Sequence, residues 1–229
     1  MSSQAIGKLH HHFETHEQQK ESSFLGMWLF LCQEVMFFGG IFAAYVAYRT
    51  MYPEAFIAGS QQLDTTIGFG NTLVLLCSSF TMVYAVWAAQ NSKGGGKIAL
   101  GLIGTIFFGG IFLGVKYFEY GAKFEHHLVP GYNFIAPVSD IPHAESTEIF
   151  FALYFAMTGL HALHMVVGMG IMAVMLYGIY AKKSWAIWDR YNHNFVEGFG
   201  LYWHFVDIVW IFLFPFLYLL GAHPPDFLS

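Results

Sequence analysis

Eight ionisable side chains stand inside otherwise apolar stretches of this 229-residue sequence: Glu34, Lys116, Glu119, His161, His164, Glu197, His204 and Asp207. A charge at membrane depth costs about 2.5 to 3.5 kcal/mol on insertion scales, so each of them needs a function or a protein partner. WLFLCQEVMFFGGIF (28–42) is the sharpest case, because Glu34 has only Gln33 for polar company. His161 and His164 are three residues apart and share a helix face, as do His204 and Asp207. Together with Glu34 they could in principle ligate a buried metal, as Glu-x-x-His pairs do in di-iron bundles, but neither helix carries that motif. A haem held between His161 or His164 and His204 is conceivable, as is proton carriage by Glu34 and Asp207. The spacings favour an interhelical polar set of His161, His164, Glu197, His204 and Asp207, at about 1 kcal/mol per hydrogen bond. Lys116 and Glu119, also three apart, form an outer-end pair that bonds or snorkels to the interface. The sequence has no P-loop, nucleophile elbow, HExxH or Rossmann glycine pattern.

These residues must be positioned by membrane spans. The composition is 56% hydrophobic and 11% charged, against about 25% charged in an ordinary soluble domain. Five stretches reach the roughly 20 apolar residues needed to cross a bilayer: about 24–49, 67–90, 98–121, 147–180 and 195–221. A polar tail (1–23) precedes them and a short tail (222–229) follows, so the expected fold is all-α, a single integral membrane bundle of five helices. Pro53 and Gly59, Gly94 to Gly96, and Pro130, Pro137 and Pro142 interrupt the chain between spans. Ser146 or Thr147 can cap the fourth helix, with Glu148 in its first turn. Gly39-Gly40, Gly109-Gly110, Gly168 and Gly170 suggest close helix approach. Tyr202, Trp203, Trp210 and Tyr218 read as a surface for lipid or a partner helix. His10 to His12 read as part of a surface segment, and Cys32 and Cys77 lack metal or haem-attachment spacing.

Lys8, Lys20, Lys93, Lys97, Lys182, Lys183 and Arg190 fall on one side of these spans, and Arg49 and Lys123 on the other. The positive-inside rule therefore predicts the N-terminus inside and the C-terminus outside.

The segments GMWLFLCQEVMFFGGIFAAY (26–45), NTLVLLCSSFT (71–81), KYFEY (116–120), TGLHALHMVVG (158–168) and YWHFVDIVWIFLF (202–214) resemble, in order, subunit III of the haem-copper cytochrome c oxidases. The resemblance covers most of residues 24–221, and the last segment, with His204, Asp207 and Trp210, is highly specific. It implies a non-catalytic subunit with no redox metal of its own, packed against subunit I and accompanied by subunit II and other oxidase subunits. Haem and copper would reside in those partners, with cytochrome c as electron donor and proton translocation by the whole complex. No nucleic-acid partner is expected. Glu34 matches the family's buried glutamate near subunit I, a proton-related or structural carboxylate. The family's subunit III supports proton uptake and protects the oxidase during turnover.

The same resemblance implies bound phospholipid, with Arg49 as a headgroup contact, and a place in the bacterial cytoplasmic membrane. The polar tail leads directly into the span bearing Glu34, so the two extra N-terminal helices of the seven-helix form are expected to be missing, and with them one wall of the family's lipid cleft. The related quinol oxidase subunit is the alternative; it usually has Asp where this sequence has Glu34, which favours the cytochrome c branch.

Overall fold

Backbone N–H and C=O groups find no water in hydrocarbon, so apolar stretches of this length must bond within themselves as helices. The computed structural model describes residues 15–91, 95–131, 133–137, 141, 143–181 and 193–220. Five helices in it are long and apolar enough to span a membrane, and no strand occurs among the described residues. His10 to His12, Lys182, Lys183, Arg190 and the 222–229 tail lie outside them.

The long helices are α1 (His16–Met51), α3 (Thr65–Gln90), α4 (Gly95–Glu125), α5 (Thr147–Ala181) and α6 (His193–Phe214). A short helix, α2 (Pro53–Gln61), lies between the first two. Two features differ from expectation. First, α1 starts inside the segment read as a polar tail, because Thr15 Oγ1 accepts the Gln18 N–H at 3.1 Å and caps it there. Second, Pro53 begins α2 rather than only ending α1, since a proline at the first helical position loses no hydrogen bond. Asp64 then caps α3 by accepting the N–H groups of Thr66 and Ile67 at 2.8 and 3.1 Å.

Helix α6 packs against α1, α3 and α5, and α3 pairs most extensively with α4. The four aromatic residues read as a surface are core, which corrects that reading: Trp203, Trp210 and Tyr218 are fully buried and Tyr202 nearly so. Pro215 has no N–H to give and its ring crowds the preceding turn, and the chain widens into a π-helix over Pro215–Leu219. Side chains from three other helices satisfy the carbonyls of that segment. Tyr45 donates to Phe216 O at 2.5 Å, Ser60 to Leu217 O at 2.6 Å, and Thr65 to Tyr218 O at 3.4 Å.

Close helix approach occurs at other glycines than most of those singled out. A Cβ on Gly39, Gly40, Gly110 or Gly170 would meet nothing within 4 Å, whereas on Gly168 it would lie 2.9 Å from the Trp203 ring. At Gly101 it would lie 2.8 Å from the backbone nitrogen of Ala85, so α3 and α4 touch main chain to main chain there. Gly101→Ala should therefore destabilise the purified protein by about 1 to 3 kcal/mol, whereas Gly110→Ala should leave it unchanged or up to about 1 kcal/mol more stable. Thermal unfolding of both variants in one detergent checks this.

Candidate functional site

Glu34 is buried at 9% exposure, roughly 15 Å along α1 from Phe24. It faces α5, where Glu34 Oε2 lies 3.2 Å from His164 Nε2. The other ring nitrogen, Nδ1, is 2.8 Å from Leu160 O. A carbonyl oxygen only accepts, so Nδ1 must carry hydrogen, and Nε2 is the atom that meets the carboxyl. The contact then holds one proton, placed either on the carboxyl and accepted by Nε2, or on Nε2 and donated to the carboxylate. Tyr202 of α6 donates to His164 O at 2.9 Å, and the Phe38 and His164 ring centroids are 5.4 Å apart. The pair is thus fixed from three helices.

It forms part of the wall of a cleft of about 640 Å³ between α1, α5 and α6. Most of the lining is apolar, including Phe30, Leu163, Val167 and Phe199, and Ser23 and Phe24 lie at the α1 end of it. An apolar chain can occupy such a space while the carboxyl and imidazole offer a hydrogen bond.

A second polar cluster ties α4 and α5 to the π-helical segment. Lys116 Nζ donates to Glu119 Oε2 at 2.8 Å and also to the Tyr218 hydroxyl. Tyr154 and Tyr218 donate to Glu119 Oε1 at 2.8 and 2.5 Å. The ammonium sits 4.6 Å from the centre of the Trp210 ring and 4.9 Å from that of Tyr218, a cation–π arrangement. Lys116 is only 5% exposed, so this pair closes inside the bundle instead of snorkelling to the interface.

The residues read as one interhelical set are separated by the fold. His164 bonds Glu34, whereas His204 Nδ1 meets Ser79 Oγ of α3 at 2.7 Å. Asp207 lies within electrostatic reach of that hydroxyl, but its oxygens have no hydrogen-bond partner of normal geometry among the described residues. His161 is buried against Phe112 and Trp210, with ring centroids 5.4 and 5.2 Å away and neither nitrogen hydrogen-bonded among the described residues. Glu197 is half-buried near the start of α6, apart from the others. Arg49 is exposed in the last turn of α1. Among the described residues no three of His, Cys, Asp or Glu gather at metal-binding distance.

Ser79, Tyr154 and Tyr218 are polar partners that the sequence pattern does not mark as such. The consecutive serines of NTLVLLCSSFT were the available signal for Ser79. The tyrosines carried none, because an aromatic-rich span hides a hydroxyl that serves as a donor.

Five apolar helices, with Glu34 of α1 paired to His164 of α5 and Lys116 to Glu119 within α4, define an integral membrane protein of the polytopic helical-bundle class. The sequence profile of cytochrome c oxidase subunit III matches residues 9–127 and 132–222, and the chain belongs to this family: it is a subunit III of the haem-copper oxidase type. It is 31% identical over 206 residues to cytochrome c oxidase subunit 3 of Synechocystis, covering 90% of this chain and 78% of that one. It is 29% identical over 215 residues to cytochrome bo(3) ubiquinol oxidase subunit 3 of Pseudomonas aeruginosa, covering 93% and 91%. The haem-copper oxidase subunit I+III of Aeropyrum pernix is 31% identical over 202 residues, 85% of this chain and 22% of that longer one.

A buried charge whose partner is removed is left unpaired in a medium that cannot solvate it. Lys116→Met should therefore lower stability by about 3 to 5 kcal/mol, whereas Lys116→Met combined with Glu119→Gln should recover most of that loss. A double-mutant cycle on the unfolding free energy reads the difference.

Proposed function

We propose that this chain is a subunit without a catalytic centre in a proton-pumping oxidase that passes electrons from cytochrome c to oxygen. In this reading it packs against subunit I within an assembly that includes subunit II and other oxidase subunits, and the haem and copper belong to those partners. The fusion named subunit I+III in Aeropyrum pernix supports subunit I as the direct partner. The Lys and Arg distribution supports an inner N-terminus and an outer C-terminus, and the bacterial relatives support the cytoplasmic membrane. Phospholipid occupies the α1–α5–α6 cleft, and Arg49, exposed at the other end of α1, contacts headgroups.

The observation that carries this reading is the Glu34–His164 contact on the cleft wall. It locks α1 to α5 and keeps an exchangeable proton beside an accessible cavity, so it supports proton uptake by holding its surroundings in place. A ubiquinol donor is the second reading, favoured by the Pseudomonas aeruginosa relative. Oxygen uptake by the purified complex, driven in turn by reduced cytochrome c and by quinol, separates the two donors.

Gln at position 34 can still donate a hydrogen bond to His164 Nε2, whereas Ala opens a cavity. Glu34→Gln should thus lower turnover and pumping by less than about tenfold, equivalent to about 1.4 kcal/mol. Glu34→Ala should associate more weakly with the oxidase or inactivate faster during turnover. Rates, proton stoichiometry and inactivation, each normalised to haem, measure this. Turnover nearly abolished by Glu34→Gln in a fully assembled complex would replace the supporting role with an obligatory relay.

A further inference from the structure

The cleft between α1, α5 and α6 has a polar end that phospholipid does not match. Glu34 lies roughly 15 Å along α1 from Phe24, where the apolar run begins, and half of a hydrocarbon core about 30 Å thick is the same distance. A phospholipid whose headgroup stays at the interface brings only acyl carbons to that depth, and these can neither donate nor accept. Of the polar residues that line the cleft, Ser23 is at the α1 end, whereas Glu34 and Tyr202 both bond His164. The hydrogens of these three are all committed. His164 Nδ1 donates to Leu160 O, and the single proton of the Glu34–His164 contact lies between Oε2 and Nε2. Tyr202 donates its hydroxyl hydrogen to His164 O. Glu34 Oε1 has no hydrogen-bond partner among the described residues, and it is not among the polar atoms that the bundle encloses. Whichever partner holds the shared proton, Oε1 is an acceptor, and so is the remaining lone pair of the Tyr202 hydroxyl. An occupant that satisfies them must bring a hydrogen-bond donor to the middle of the bilayer.

The walls indicate what carries that donor. Phe30 and Phe199 flank Tyr202 with ring centroids 6.0 and 5.7 Å from its own, a surface suited to a flat ring. The volume of about 640 Å³ falls within the roughly 300 to 1,000 Å³ typical of pockets for organic ligands, and the rest of the lining is largely apolar, suited to a tail. We propose that this cleft binds a quinol, an apolar-tailed hydroquinone, with one phenolic hydroxyl donating to Glu34 Oε1 and its ring against Phe30 and Tyr202. This deepens the lipid reading above by naming the polar group that the deep end selects: phospholipid chains and quinol exchange in the cleft, and only the quinol completes Oε1. The oxidised quinone, whose oxygens only accept, binds less tightly at the same atom. Binding alone is assigned to this site, and the quinol is held intact.

The test uses the assembled oxidase, kept anaerobic and reduced, with a quinol analogue that carries a diazirine at the start of its alkyl tail. After illumination the adducts are mapped by mass spectrometry, in competition with decylubiquinol, decylubiquinone or decylbenzene. The expected result is adducts on this chain at the cleft, around Phe30 and Leu163. Decylubiquinol should suppress them at a concentration about tenfold lower than decylbenzene, the worth of one hydrogen bond to a charged or proton-sharing group. Decylubiquinone should fall between the two. Leu163→Trp, which fills the cleft and leaves Glu34 and His164 in place, should abolish the adducts, and Glu34→Leu should remove the difference between the competitors. The competition series on the unaltered complex decides the question by itself if Glu34→Leu fails to assemble. Equal suppression by decylubiquinol and decylbenzene would mean that water satisfies Oε1 and the cleft takes any apolar chain, and would overturn the assignment. Adducts confined to other chains of the complex would overturn it as well. Both results leave the subunit III reading intact, which fails separately if the chain does not copurify with subunit I.

Discussion

A polar group inside a bilayer has only protein to bond to, and in this bundle much of that bonding converges on one helix. The described part of α6 and its π-helical end receives Tyr45 from α1, Ser60 from α2 and Thr65 from α3. It sends Trp203 to Ser78 and Trp210 to Thr72 of α3, each at 3.0 Å, Tyr202 to His164 O of α5, and Tyr218 to Glu119 of α4. Each of α1 to α5 is therefore tied to α6 or its π-helical end by at least one hydrogen bond. Apolar packing alone could not supply this specificity, because lipid tails are as apolar as the side chains they would replace. The large buried aromatics serve two ends, filling the centre of the bundle with their rings and carrying these bonds with their hydroxyl and indole groups.

The charged cluster at Lys116 follows from the same constraint. An ammonium placed among Trp210, Tyr154 and Tyr218 keeps its charge only if a carboxylate and ring faces surround it, and Glu119 with three aromatic rings does so. Glu119 in turn accepts from two tyrosines, so neither ion is left with an empty side. A pair of this kind adds no more to net stability than a well-packed apolar substitute would; its hydrogen bonds join α4, α5 and the end of α6. The Glu34–His164 contact differs because it borders a cleft. It fixes α1 to α5 while leaving a proton-bearing contact near accessible space.

The spans were legible in the sequence because hydropathy over about 20 residues depends on composition alone. Their ends were less so: Thr15 caps α1 among polar residues, and Pro53 starts a helix where it was read as a breaker. Glu34 and His164 were recognisable individually as intramembrane groups. Their pairing was not, because i, i+3 spacing says which residues lie near one another on one helix and nothing about which neighbour each will meet. His161 and His164 are offset by about 60° around α5, enough to send one against Phe112 and Trp210 and the other to Glu34. The glycines show the same limit, since Gly40 and Gly101 look alike in sequence and only the second meets another backbone.

The claim at the centre of this account is that the chain works as a component of a haem-copper oxidase, its polar groups serving helix packing. Native mass spectrometry of the purified complex, combined with haem and metal analysis of the separated subunits, tests it most directly. The account predicts one copy of this chain per haem- and copper-bearing subunit I, and no stoichiometric haem, copper or iron on the chain after separation. A chain isolated without subunit I, or one that retains a stoichiometric haem or transition metal of its own, would contradict it.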